Sequence, residues 1–113
     1  MTGRLTSAML VSALVRRVNQ AGGSAMVLAK GDATAGGILC LAYQKGVDPR
    51  FFERGLGPTG LPALIAAGPQ DMGDEQAVSD YWQRRRKFDG DLWVVELDIA
   101  DAERFAAEVM NLY

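Results

Sequence analysis

The 113-residue sequence contains no histidine, and this absence excludes a large part of enzyme chemistry. Without an imidazole, the chain cannot supply the base of a Ser–His–Asp or Cys–His catalytic set. It also lacks the histidine ligands of the usual zinc sites. The sequence therefore favours a protein that acts without catalysis, and it predicts no cofactor.

Cysteine is almost absent as well, and the single one, Cys40, lies within an apolar run. One thiol cannot form a disulfide inside the chain, nor can it build a thiolate metal cluster alone. No basic residue stands beside it in the sequence to stabilise a thiolate. We predict that Cys40 is buried, reduced and inert.

The sequence also lacks a long apolar run and an excess of one charge. No stretch approaches the length of a membrane-spanning helix, and the apolar residues 8–15 are followed by Arg16-Arg17 instead of a cleavage site. The 12 basic and 14 acidic residues give a net charge of −2, which disfavours nucleic acid as a partner. We expect a soluble, cytoplasmic protein with no membrane partner, folded as one domain over residues 1–113.

The first half of the chain predicts one helix and two strands. The helix covers about residues 7–21, and Gly22-Gly23 stop it. Because its first two turns are apolar on almost every side, we expect it at the centre of the fold or against a second copy of the chain. Two strands follow at 24–29 and 38–43, and the turn-rich segment 31–37 joins them as a predicted hairpin.

The middle of the chain is rich in glycine and proline. A short third strand is predicted at residues 50–53, and residues 54–62 are predicted to form a loop. Residues 61–67 leave two interpretations open, a fourth strand or a helical turn.

The second half predicts helix, strand and helix. The first of these helices begins after acidic cap candidates at 71–75 and runs to about Lys87, with an inward stripe that Phe88 extends. The stripe consists of Ala77, Val78, Tyr81 and Trp82. The strongest strand pattern covers 91–98, with Trp93, Val95 and Leu97 on one face. The last helix begins near Asp101 and has apolar residues at helical spacing: Ala102, Phe105, Ala106, Val109 and Met110.

The resulting element order is α-β-β-β-(β)-α-β-α. Short connections between consecutive strands favour an antiparallel meander. We therefore predict an α+β fold in which an antiparallel sheet of four to five short strands has the helices packed on one face.

Three patches of the sequence carry a family resemblance. They are Arg16-Arg17 before Gly22-Gly23, Gly31-Asp32 with Ala35-Gly36, and the segment from Arg84 to Glu96, which ends in Leu92-Trp93-Val94-Val95-Glu96. With them the chain resembles a small alphaproteobacterial family known as domain of unknown function 1491, whose members have about this length. The resemblance implies a bacterial source and a compact domain, and it brings no assigned activity.

The segment 31–37 has glycines at the spacing of a phosphate-binding loop, namely Gly31 and Gly36. Gly37 and Ile38 stand where such a loop requires Lys and Ser or Thr, and a strand is predicted to follow instead of a helix. We interpret this segment as a turn.

The densest charge feature is the run from Arg84 to Lys87. Its simplest interpretation is a solvated helix end, where the helix dipole favours cations. The functional alternative is an anion site for a phosphate, a nucleic-acid backbone or an acidic partner, because guanidinium groups suit phosphate geometry. If the cations of the two helices meet in space, that site comprises Arg16, Arg17, Arg84, Arg85, Arg86 and Lys87.

Three acidic residues, Asp89, Asp91 and Glu96, could together hold a divalent metal for hydrolysis. Strand alternation places Glu96 on the face opposite Asp91, and Asp89 and Asp91 also suit a helix-to-strand turn. We therefore predict no metal site. For Glu96 we predict a structural ion pair, since an unpaired carboxylate on an apolar strand face is costly. Its candidate partners are Arg16, Arg17 and Arg85.

These observations favour a non-catalytic binding or interaction module that self-associates through its apolar first helix. Two alternatives stay open. One is a binder of an anion, a phosphate-containing ligand or a nucleic-acid backbone through the arginine cluster, and the other is a carboxylate- and metal-dependent hydrolase. The expected partner is a second copy, another protein or an anionic ligand.

Overall fold

The computed structural model of the chain describes residues 5–69 and 72–112. Within these ranges the α+β class and the predicted order of elements are confirmed. The elements are α1 (Ser7–Gln20), β1 (Ser24–Ala29), β2 (Ile38–Gln44), β3 (Val47–Leu56), β4 (Pro62–Ala67), α2 (Glu75–Phe88), β5 (Trp93–Asp98) and α3 (Ala102–Met110).

The five strands form one mixed, mostly antiparallel sheet in the order β1-β5-β2-β3-β4. β5 runs antiparallel to β1 and parallel to β2, so the predicted hairpin between β1 and β2 is wrong. The physical reason is the burial of β5, in which Val94 and Val95 are both fully buried although they point to opposite faces. A strand that is apolar on both faces is most stable in the interior of a sheet.

Helices cover both faces of this sheet, which corrects the prediction that they share one face. α1 and α3 pack on the face that carries Ile38, Cys40 and Ala42 of β2. α2 packs on the opposite face, against Leu39 and Leu41. Because β2 is apolar on both sides of its pleat, both sides need a cover, and one layer of helices would leave Leu39 and Leu41 in water.

The first helix lies at the centre of the fold, one of the two positions expected for it. The Thr6 side chain caps it by accepting a hydrogen bond from the Met9 amide. Val11, Leu14 and Val18 are buried against the sheet and α3. Met9 is 53% exposed, but the other large apolar side chains of the helix are buried or half-buried. Most of the apolar surface that suggested self-association through this helix is therefore internal.

The middle of the chain contains more strand than predicted. β3 continues to Leu56 and pairs with β4 as an antiparallel hairpin, so the predicted loop 54–62 is wrong for residues 54–56 and for Pro62, where β4 begins. The glycine at position 55 is compatible with a strand here, because a Cβ atom on Gly55 would lie 2.4 Å from Cδ1 of Ile65. Gly55 thus makes room for the side chain of Ile65 on the neighbouring strand.

α2 begins at the Asp74 cap, whose side chain accepts from the Ala77 amide. Another predicted cap candidate, Asp71, lies outside the described residues. The prediction for Phe88 is wrong, since its side chain is 87% exposed. Apolar contact between the helix and the sheet ends at Tyr81 and Trp82, before the last turn of the helix. Within the described ranges no helix is both long and apolar enough to cross a membrane.

Candidate functional site

The segment 31–37 crosses over the start of β5 on its way from β1 to β2. The amide of Asp32 donates to the carbonyl oxygen of Asp91 at 3.0 Å, and the Asp32 carbonyl accepts from Nε1 of Trp93 at 2.8 Å. A Cβ atom on Gly31 or on Gly36 would lie 2.1 Å from the Asp91 carbonyl oxygen. Both glycines are therefore required by the close approach of two backbone segments.

The same segment also occupies the beginning of α1. The amides of Ser7 and Ala8 donate to the carbonyl oxygens of Thr34 and Ala33, at 3.1 and 2.9 Å. The Ser7 hydroxyl donates to the Gly36 carbonyl at 2.6 Å. A phosphate binds at a helix N-terminus through backbone amides that have no other partner. At the N-terminus of α1 the amides of Ser7 and Ala8 already donate to carbonyl oxygens of the chain. The segment is thus a structural junction between the helix and the sheet.

Arg85, one of the predicted anion-binding residues, forms a two-pronged ion pair with Glu53 of β3. The distances are 2.9 Å from Nη1 to Oε2 and 2.7 Å from Nη2 to Oε1. Nη1 also donates to the Tyr81 hydroxyl at 3.0 Å. The hydrogen bonds to Glu53 raise the pKa of Arg85 above its usual value. Arg85 therefore fastens α2 to the sheet and has little capacity left for a ligand.

Two further cations of the predicted site also have partners inside the chain. Arg86 donates to the carbonyl oxygens of Gly90 and Leu92, so it holds the turn between α2 and β5. Arg17 donates to Glu108 at 2.9 Å and links α1 to α3.

The six cations do not form one site, because α1 and α2 lie on opposite faces of the sheet. On the α2 side, Arg84 and Lys87 line a shallow depression together with Asp80 and Gln83. Among the described residues neither Arg84 nor Lys87 has an ion pair or a side-chain hydrogen bond.

The acidic residues of the hydrolase hypothesis do not converge. Asp89 and Asp91 lie in the turn before β5, where a carboxylate oxygen of Asp89 accepts from the Asp91 amide at 3.1 Å. Residues 5–69 and 72–112 contain no group of three or more His, Cys, Asp or Glu side chains placed to hold one metal ion. The proposed metal chemistry thus has no supporting geometry in this part of the chain.

The ion pair predicted for Glu96 is not observed, since Glu96 pairs with no cation in the described ranges. Two of its candidate partners, Arg17 and Arg85, are bonded to other carboxylates. Partial burial raises the pKa of Glu96, and the nearby charge of Asp98 raises it further. The residue is only partly buried, so the cost of leaving its carboxylate without an arginine is smaller than for a fully buried one.

A groove with a cavity volume of about 520 Å³ lies between α1 and β1, the strand at one edge of the sheet. This size is sufficient for a small ligand. Most of its lining is apolar: Ala8, Val11, Val15, Val27 and Trp93. The polar side chains are Ser12, Arg16 and Lys30.

The two cations of this groove have no partners of their own in the described part of the chain, in either ion pairs or side-chain hydrogen bonds. Arg16 comes from α1, and Lys30 directly follows β1; both are exposed. None of the described residues that line the groove is acidic. It therefore offers two positive charges above an apolar floor. Sequence reasoning found Arg16 but missed Lys30, because their proximity depends on how α1 lies across β1.

The fold places the protein in the class of small α+β domains, with a mixed five-stranded sheet that helices cover on both faces. Residues 5–107 match the family described as "Protein of unknown function (DUF1491)". The chain belongs to this family, which confirms the resemblance carried by the three sequence patches.

Solved structures of the family share the fold. A crystal structure of a DUF1491 family protein from Caulobacter crescentus CB15 is 30% identical with a TM-score of 0.76, covering 90% of this chain and 94% of that one. An NMR structure of a DUF1491 family protein from the same organism is 30% identical, with a TM-score of 0.74 and coverages of 91% and 94%. The solution structure of protein Atu0922 from A. tumefaciens is 27% identical, with a TM-score of 0.72 and coverages of 97% and 95%. No curated protein sequence matches this chain.

Proposed function

We propose that this protein is a non-catalytic binding module whose ligand joins an anionic group to an apolar body. The anionic group lies between Arg16 and Lys30, and the apolar body rests on the groove floor beside Val27 and Trp93. The observation that carries this proposal is the presence of two unpaired cations, among the described residues, on the rim of an apolar groove.

The state of the potential catalytic groups also supports binding over catalysis. Cys40 is fully buried, and this burial, with a smaller contribution from the charge of Glu53, raises the pKa of its thiol to about 12. A thiol in that state is not a nucleophile at neutral pH. We also propose that the protein is cytoplasmic, since a lone thiol stays reduced in that compartment.

The groove at α1 and β1 suits an anion better than the depression on α2. In that depression Asp80 stands beside Arg84 and Lys87, so an acidic side chain offsets part of the positive charge. As far as the described residues form it, the groove has no acidic lining residue, so nothing there offsets the charges of Arg16 and Lys30. Apolar contact and charge attraction therefore act on the same ligand.

The proposal is tested by titrating the protein with hexyl phosphate in a calorimeter. We expect hexyl phosphate to bind about tenfold more tightly than either inorganic phosphate or hexanol, since each of these engages only half of the groove. In the double variant Arg16→Gln with Lys30→Gln, we expect binding to weaken by about tenfold or more, because both charge-assisted contacts are lost.

The double variant Arg84→Gln with Lys87→Gln is the matched control, since it also removes two positive charges but does so on the opposite face of the sheet. It should bind hexyl phosphate as the unmodified protein does. Equal weakening in both double variants would assign the binding to net charge alone, and the absence of saturable binding to the unmodified protein would refute the proposal.

A further inference from the structure

The second edge of the sheet is β4, which among the described residues pairs with β3 on one side only. Its six residues, Pro62–Ala67, include no charged side chain, and three of them are exposed. An edge strand presents unpaired amide and carbonyl groups that can pair with another strand. Proteins that avoid such pairing place lysine or other charged side chains on the edge, and β4 has none.

The hairpin that contains β4 also exposes large apolar side chains. Leu56 is 72% exposed, Leu61 is 68% exposed and Ile65 is 36% exposed. Large apolar side chains that stay in water forgo the favourable free energy of burial. A partner along β4 would recover part of this free energy, so the edge offers both backbone and side-chain contacts.

β1, at the opposite edge, is less suited to pairing with a copy of itself. The Asn19 side chain accepts from the Ala25 amide at 3.1 Å and so occupies one backbone group of that strand. The exposed Lys30 also follows β1 directly, and a lysine at a sheet edge disfavours pairing with another strand.

We propose that β4 pairs with β4 of a second copy of this chain in antiparallel orientation, which joins the two five-stranded sheets into one. The occupant is a second copy because the edge is uncharged and apolar, and so is complementary to itself. This relocates the self-association expected from the first helix, whose apolar residues Val11, Leu14 and Val18 are buried. It is independent of the ligand groove at the other edge.

The register follows from sheet geometry. Residues directly opposite each other in an antiparallel pair share a face, so the two-fold axis passes through a residue and its own counterpart. Pro62 has no amide hydrogen to donate, which favours pairing through residues 63–67. Their centre is Ile65, so Ile65 of each copy lies opposite Ile65 of the other, and Leu64 lies opposite Ala66.

The first test is light scattering over a dilution series. We expect a mass of twice 12.2 kDa at high concentration that falls to 12.2 kDa on dilution. Ala66→Lys places a charge on the β4 edge. It should raise the protein concentration at which half of the chains are dimeric by about tenfold or more. Met26→Lys places the same charge on β1, where Met26 is 53% exposed, and should leave that concentration unchanged.

The second test measures the register directly. Opposite Cα atoms in an antiparallel pair are about 4.5–5.5 Å apart, a separation that a disulfide can bridge. Mild oxidation of Ile65→Cys should therefore give a covalent dimer, whereas Met26→Cys should not. The buried Cys40 does not compete. A mass of 12.2 kDa at every concentration, loss of the dimer in Met26→Lys alone, or no cross-link through Ile65→Cys would each overturn the proposal.

Discussion

Replacing Gly31 by alanine is expected to lower the free energy of unfolding by about 3 kcal/mol, at the upper end of the usual range for an overpacked site. The added Cβ would lie 2.1 Å from the carbonyl oxygen of Asp91. That oxygen belongs to the backbone and also accepts the Asp32 amide, so it cannot move away without breaking the junction. Urea denaturation followed by circular dichroism measures the loss.

Gly37→Ala provides the matched control for this substitution, because Gly37 belongs to the same segment. A Cβ atom there would lie 3.4 Å from Cδ1 of Leu92, which is an ordinary contact with a side chain. We expect a change of no more than about 0.5 kcal/mol. If Gly31→Ala were as mild as Gly37→Ala, the close crossing at Asp91 would be wrong.

Replacing Glu53 by glutamine is expected to cost about 2 kcal/mol of unfolding free energy, because it leaves the Arg85 guanidinium partly buried without its counter-charge. The side chains of Arg85 and Glu53 are 32% and 22% exposed, so this cost is smaller than that of breaking a fully buried pair. The glutamine keeps the shape of the side chain, so the measurement isolates the effect of the charge. The same urea titration detects the change.

Glu108→Gln is the comparison for Glu53→Gln, because Glu108 also forms ion pairs with arginine, at 2.9 Å with Arg17 and at 3.8 Å with Arg104. The Arg17 side chain is 45% exposed, and its contact with Glu108 is a single one at 2.9 Å. Exposed ion pairs contribute little, so we expect a loss below about 1 kcal/mol. An equal loss in both variants would contradict the special role assigned to the Arg85–Glu53 pair.

Local patterns in the sequence predicted the elements well but not their pairing. β5 is identifiable from its alternation and its apolar content, yet its neighbours β1 and β2 come more than 40 residues earlier in the chain. The connection from β1 to β2, residues 30–37, is longer than the two to five residues usual in a hairpin. That length, together with Gly31 and Gly36, is the signal that the connection crosses another strand.

The candidate site was predictable only in part, because contacts between residues that are distant in the chain decide which cations are free. The run Arg84–Lys87 is visible in the sequence, but the partner of Arg85 lies on β3, 32 residues away. Arg16 was identified as a candidate, whereas Lys30 gained significance only once α1 and β1 were placed side by side. Charge density along the chain thus marks cations without showing which of them are already paired.

Many of the polar side chains in the described ranges hold the fold together. Asp32 accepts the amides of Thr34 and Ala35 in the junction, and Asp98 accepts two amides in the turn between β2 and β3. Arg86 fixes the turn before β5 in a similar way. Arg16 and Lys30 are among the described cations without such a role, and they are the ones that lie beside an apolar groove.

The most direct test of this account is an NMR titration of the ¹⁵N-labelled protein with hexyl phosphate. We expect saturable shifts that are largest for the amides of Arg16, Val27 and Lys30 and for the indole of Trp93. Shifts concentrated at Arg84 and Lys87, or shifts that grow linearly without saturation, would contradict this account.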